Sequence, residues 1–149
     1  MKKQLALLLV CILLVPMIIA GHGQKSQAAG TAVQDKVRIG IWEPLTGNMA
    51  AGGAQKLEGY RLAYELRPTV LGREVELVIV DNKSDKVEAA NAMARLIEKE
   101  KVVAVLGTYG SSLAIAGIDI SERAGIPVMP CASNPLVTQG RKYVTRTNY

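Results

Sequence analysis

The stretch that decides the fold is VVAVLGTYGSS, residues 102–112. Val102 to Leu106 is an unbroken apolar run of strand length, as expected of a central parallel strand covered on both faces. Two glycines and, at the end, two serines follow. They lead into a helical pattern from Ser112 to Ala124, which Gly125 closes. A strand that turns through glycine into a helix is the repeating unit of a parallel α/β sheet.

The same unit recurs on either side. Toward the N-terminus, Asp85-Lys86-Val87-Glu88 has the spacing of a capping box. The helix it opens places Val87, Ala90, Ala94 and Ile97 in a buried stripe flanked by Met93 and Leu96, and Glu98 to Lys101 form its solvated end. Glu74 to Val80 alternates, with Val75, Leu77 and Ile79 on one side, and suits a strand near a sheet edge. Pro68 and Gly72 separate it from a helix over Gln55–Glu65, whose inner face is Leu57, Tyr60, Arg61 and Tyr64. Val37 to Trp42 is the first strand, with a turn-rich loop from Glu43 to Gly53. On the other side, Ile126-Pro127 turns the chain into a short strand, Val128-Met129, and Tyr143 to Arg146 begins a fifth. Strands separated by helices imply right-handed crossovers and an α/β fold with a doubly wound parallel sheet. The expected strand order is 2-1-3-4-5. Ligands of such a sheet sit at the carboxyl ends of the strands, so the loops after Trp42, Asp81, Leu106 and Met129 bear inspection.

The first thirty residues carry a different message. Lys2 and Lys3 precede an uncharged apolar stretch from Leu5 to Ala20, and the small-residue tract Ser26-Gln27-Ala28-Ala29-Gly30 fits a signal-peptidase site. The expectation is a signal peptide over residues 1–28, a linker over 29–36 and an incomplete ligand-binding lobe over 37–149. The apolar stretch is shorter than the ~20 residues of a spanning helix and contains Pro16, which argues against an uncleaved anchor. Cys11 follows Val10 rather than a small residue, so no lipobox is present. Export would remove Lys2, Lys3 and Lys25, and the net charge would fall from +5 to about +2. The basic balance therefore carries no nucleic-acid message. His22, the sole histidine, would leave as well, so neither a Ser-His-Asp nor a Cys-His mechanism can be assembled from the mature chain. One remaining thiol and no imidazole argue against a metal site, and no cofactor is expected.

Three loops could carry chemistry. In Gly107 to Ser112, two hydroxyls arrive at a helix N-terminus, where free N–H groups and the helix dipole favour an anion. A plain N-cap role for Ser111 or Ser112 accounts for the same residues. The spacing is neither a dinucleotide fingerprint nor a P-loop. In Pro130-Cys131-Ala132-Ser133-Asn134-Pro135, prolines bracket small residues whose backbone could approach a ligand, though a plain connecting loop would read the same. Pro44 to Gly53 is rich in glycine and alanine and stands over the same sheet edge. Asp81 reads as a turn-forming aspartate ahead of Asn82. Cys131 lacks the imidazole partner that a nucleophile needs.

The runs VRIGIWEPLTGNMAAGG, LGREVELVIVDNKSD and AVLGTYGSSLAIAGIDISERAGIPVMPCASNP together resemble the leucine/isoleucine/valine-binding proteins of ABC importers. The resemblance covers about residues 36 to 149. It implies one of two Rossmann-like lobes that close on a ligand, in a protein that is not an enzyme. It also implies a periplasmic location, a membrane permease as partner and a monomeric full-length protein. By the resemblance, Ser111 holds the ligand carboxylate, with Tyr109 and Gly110 beside it. The Cys131 carbonyl meets the ligand ammonium, Ala132 lines the pocket, and Ser133 completes the grip. Some relatives place an aromatic in the first loop, roughly where Ala51-Gly52 stands here, so the side-chain pocket is expected to be larger or differently lined. Two alternatives use the same fold elements. One is the ligand-sensing domain of a receptor, and the other is a nucleotide-using α/β enzyme, which would need a phosphate-binding glycine pattern after the first strand.

Overall fold

The computed structural model describes residues 36–148. The expected signal peptide, most of the linker, Cys11 and His22 lie outside the described residues. The elements run β1 (Lys36–Glu43), α1 (Ala50–Leu66), β2 (Thr69–Val70), β3 (Arg73–Asp81), α2 (Lys86–Glu98), β4 (Ala104–Tyr109), α3 (Ser111–Ala124) and β5 (Val128–Cys131), then a 3₁₀ turn at Pro135–Val137. The sheet order is β2-β3-β1-β4-β5. β3, β1, β4 and β5 are all parallel. The expected order 2-1-3-4-5, counted over the strands read from the sequence, therefore holds for its first four members.

Two strands differ from the expectation. Tyr143 to Arg146 forms no strand. Only an isolated parallel bridge joins Val144 to Val128, supported by Val128 N–H to the Tyr143 carbonyl at 2.8 Å. β2 is an unexpected antiparallel edge, paired to β3 through Thr69–Glu74 and Val70–Arg73. Leu71 and Gly72, both at positive φ, close its two-residue turn, as hairpin geometry demands.

Element ends also shift. β4 begins at Ala104 and includes Gly107 to Tyr109, because it pairs with β1 from Ile39–Ala104 to Trp42–Gly107 and Tyr109 pairs with Cys131 of β5. β5 likewise takes in Pro130 and Cys131. The first helix begins five residues earlier than its apolar spacing indicates, so the Gly/Ala-rich segment supplies its first turns. In α2 the buried residues are Ala89, Ala92, Met93 and Leu96, while Val87 is 68% exposed. The flanking residues of the expected stripe are thus its centre. Met93 and Leu96 turn inward with Ala89 and Ala92, and leave Ala90 and Ala94 at the margin. Asp85 caps α2 as expected, accepting from the N–H groups of Val87 (2.8 Å) and Glu88 (2.9 Å). The reciprocal half of the capping box is absent. The Asp85 N–H donates to the Asn82 carbonyl at 3.0 Å, and Glu88 pairs with Lys83 at 3.3 Å.

The main core lies between the sheet and helices α2 and α3, where Trp42, Met93, Leu96, Val105, Leu113 and Ile118 are essentially inaccessible. Trp42 anchors this layer, its indole N–H donating to the Ala89 carbonyl at 3.1 Å. The opposite face carries Ile39, Ile41, Val75, Leu77 and Leu106 and has only α1 above it. Among the described residues no helix is long and apolar enough to cross a membrane.

Candidate functional site

Parallel strands bring the C-termini of β1, β3, β4 and β5 to one edge, and the loops singled out in the sequence gather there. The first loop is tied to the end of β3 by Asp81. Its carboxylate accepts from Leu45 N–H (2.8 Å), Thr46 N–H (3.3 Å), the Thr46 hydroxyl (2.6 Å) and Lys83 N–H (2.7 Å). Burial alone would raise its pKa, but these donors hold the carboxyl below the usual range. The turn expected of Asp81 is thus present, through Lys83, and the same side chain also stitches two loops together. Ser84 adds a second stitch, accepting from Met49 N–H at 3.0 Å and donating to the Thr46 carbonyl at 2.6 Å.

The β4–α3 turn is the centre of the edge. Gly110, not Ser111, is the N-cap of α3, and no side chain caps the helix. The N-cap reading of Ser111 is therefore corrected: Ser111 is the first helical residue, where its side chain cannot fold back onto its own helix start as a cap. The leading amides of α3 lack intrahelical acceptors, as at any helix start. The Ser111 hydroxyl oxygen instead accepts the Asn134 N–H at 3.1 Å, which leaves its own proton free to be donated. Gly110 N–H donates to the Cys131 carbonyl at 3.0 Å. These two bonds join the β4–α3 and β5 loops at one point.

Each expected site residue falls on this edge. Cys131 and Ala132 are buried, at 6% and 2% exposure, and Cys131 is a free thiol that ends β5. Its carbonyl is already engaged by Gly110 N–H and retains one lone pair. Ser133 is exposed, and its carbonyl accepts from the Arg146 guanidinium. Tyr109 is 38% exposed with its ring laid over Gly52, where any Cβ would collide with it. An aromatic therefore does stand at the Ala51-Gly52 position, supplied by β4 rather than by the first loop. A cavity of about 390 Å³ opens beside Ser111 and Ser112, walled by Lys86, Ile115, Ala116 and Asn134.

The sequence reading passed over Glu43, which is fully buried at the end of β1. Oε2 accepts Tyr109 N–H at 2.7 Å and Oε1 accepts the Tyr60 hydroxyl at 3.1 Å. Burial pushes this carboxyl up to about 7, although both donors and Lys56 pull the other way. Burial, then the adjacent Glu43, raises the Tyr60 hydroxyl in turn. The signal was available: Glu43 shares strand parity with Ile39 and Ile41, which point to the α1 face.

Residues 36–149 match the family model described as periplasmic binding protein. The chain belongs to the periplasmic binding protein family. A Leu/Ile/Val-binding protein homolog 8 from Brucella suis is 32% identical to this periplasmic binding protein over 127 residues, covering 83% of this chain and 32% of the relative. Among solved structures, a leucine-binding protein from Thermotoga maritima is 49% identical, with a TM-score of 0.73 over 74% of this chain and 32% of its own. The branched-chain amino acid transporter substrate-binding protein of Streptococcus pneumoniae, solved with isoleucine, is 30% identical, with a TM-score of 0.71 over 74% and 33% of the two chains. The chain thus spans about a third of the length of the relatives it matches. The family is one of solute-binding proteins, and the nucleotide-using enzyme alternative has no support in this kinship.

Proposed function

We propose that this chain forms the ligand-capturing lobe of an exported receptor that delivers an amino acid to an ABC permease. The observation that carries the reading is the uncapped start of α3. The Ser111 proton and the leading amides converge there with the Cys131–Asn134 loop. That arrangement suits a carboxylate, which accepts charge-assisted hydrogen bonds at a helix N-terminus. In this reading Ser111 and the amides beside Gly110 hold the ligand carboxylate. The free lone pair of the Cys131 carbonyl takes the ammonium, Ala132 and the Tyr109 ring line the side-chain pocket, and the Ser133 hydroxyl closes the grip. The isoleucine of the Streptococcus relative and the leucine in the name of the Thermotoga relative have this chemistry, a zwitterion on an apolar body. Residues 1–28 direct export to the periplasm as a cleaved signal peptide, residues 29–36 are a linker, residues 37–149 are one incomplete lobe, and the full-length protein acts as a monomer.

Calorimetric titration with L-leucine and with leucinamide tests the anchor. Ser111→Ala removes one charge-assisted bond and should weaken L-leucine binding by roughly ten- to a hundredfold, alongside a separate drop in melting temperature from the Asn134 N–H losing its acceptor. Equal affinity for the amide and the free acid would sink the carboxylate assignment.

A further inference from the structure

Glu43 is the one fully buried carboxyl among the described residues, and its contacts reach the ligand edge through the backbone. Its Oε2 accepts the Tyr109 N–H at 2.7 Å. The next residue is Gly110, which caps α3 and donates its own N–H to Cys131 at 3.0 Å. The carboxyl can approach β4 only because position 107 lacks a side chain, since a Cβ there would lie 2.6 Å from Oε1. One buried side chain therefore grips the Thr108–Tyr109 peptide, one residue ahead of the helix N-cap.

The surroundings of Glu43 are sparse in charge. From α1 it faces the Tyr60 hydroxyl at 3.1 Å and the more distant positive charge of Lys56. From β4 it meets only backbone, and from β5 the Cys131 thiol lies in the field of Tyr60. Asp81 is its register partner on β3, but the Asp81 carboxylate is spent on Leu45, Thr46 and Lys83. No cation pairs directly with Glu43; the distant charge of Lys56 and the Tyr109 and Tyr60 donors offset its burial only in part.

Resting on the proposed ligand reading, we infer that Glu43 is a positioning residue for the binding edge. Its carboxyl sets the Thr108–Tyr109 peptide, which leads directly into the Gly110 cap and the start of α3, so its protonation state is transmitted to the groups that grip the ligand carboxylate. The neutral form accepts the Tyr109 N–H through its carbonyl oxygen and meets Tyr60 with its O–H. The ionised form keeps the Tyr109 bond but adds a buried negative charge behind amides that must accept an anion. Capture of a carboxylate ligand and ionisation of Glu43 thus oppose each other, and by linkage each weakens the other.

Two measurements on the full chain test this. In the ligand-free protein, the amide resonances of Tyr109, Gly110 and Ser111 should titrate together with a midpoint near 7. In E43Q that titration should vanish. Absence of the midpoint in the wild type, or its survival in E43Q, overturns the inference without reference to any ligand. With L-leucine as probe, wild-type affinity should fall by about tenfold between pH 6 and pH 8.5, while E43Q should hold the low-pH affinity throughout. A wild type and an E43Q with the same pH profile would also overturn it. Should L-leucine fail to bind at any pH, the ligand reading falls and the amide titration alone decides the role of Glu43. If E43Q does not fold, Tyr60→Phe serves instead. It removes a donor that lowers the carboxyl pKa, so the amide midpoint should move upward, and an unmoved midpoint would refute the coupling.

Discussion

The two faces of the sheet are built on different principles. On the α2/α3 face, Trp42, Met93, Leu96, Leu113 and Ile118 are closed off from solvent, and the contacts are almost wholly apolar. On the α1 face a groove of about 260 Å³ runs between the helix and the strands, lined by Ile39, Tyr60, Tyr64, Val75, Leu77 and Leu106. Ile79 and Met129, on the same face, remain 40% and 41% exposed. Glu43, the one fully buried carboxyl among the described residues, also sits on this side. The lesson is a division of labour: the dense face holds the strand ends in register, and the open face tolerates the polar group that reaches the binding edge.

The sharpest way to break this comparison is to make the same deletion on each side. Leu96→Ala opens a cavity in the dense layer and should cost roughly 3–5 kcal/mol, read by urea or thermal unfolding. Loss of less than about 1 kcal/mol would mean that this layer collapses easily and is not the rigid one.

The second test is electrostatic and singles out the open face. In the unfolded chain Glu43 titrates near 4.5, and in the fold near 7. The native state therefore holds the proton more tightly over that interval. Stability from this group is fully present below about pH 4.5 and is lost as pH rises through 7, by up to about 3 kcal/mol. Glu43→Gln should flatten that part of the stability profile. A wild type that gains stability from pH 5 to 7.5, with Glu43→Gln showing the same rise, would contradict the burial argument.

The smallest expected effect is the counterpart of the first. Leu77→Ala on the half-covered face should cost only about 1 kcal/mol, since less area returns to water and the groove already exists. A loss matching that of Leu96→Ala would show that the two faces pack alike.

What the residues alone determined was periodicity. VVAVL, the Asp85 cap and Gly125 at a helix end are local signals, each obeying steric and hydrogen-bond rules that need no partner. They sufficed for the α/β class, the first four strands of the sheet and the edge where ligands of such sheets bind. Their combination also carried the family resemblance. Tertiary structure decided what depends on a neighbour. β4 extends to Gly107 against β1 and on to Tyr109 against Cys131 of β5, and the Tyr143–Arg146 segment reaches only one bridge to β5. Met93 and Leu96 face inward because the space between sheet and helices suits large side chains, and Ala90 and Ala94 of the expected stripe are left at the rim. The role of Ser111 turned on a residue twenty-three positions away, since Asn134 occupies its oxygen and leaves its proton free. Glu43 was the hardest to read, for a charged residue beside a loop looks solvated in one dimension. Only Tyr60, the bare backbone at Gly107 and the Tyr109 amide, brought together by the parallel sheet, make it a buried acid.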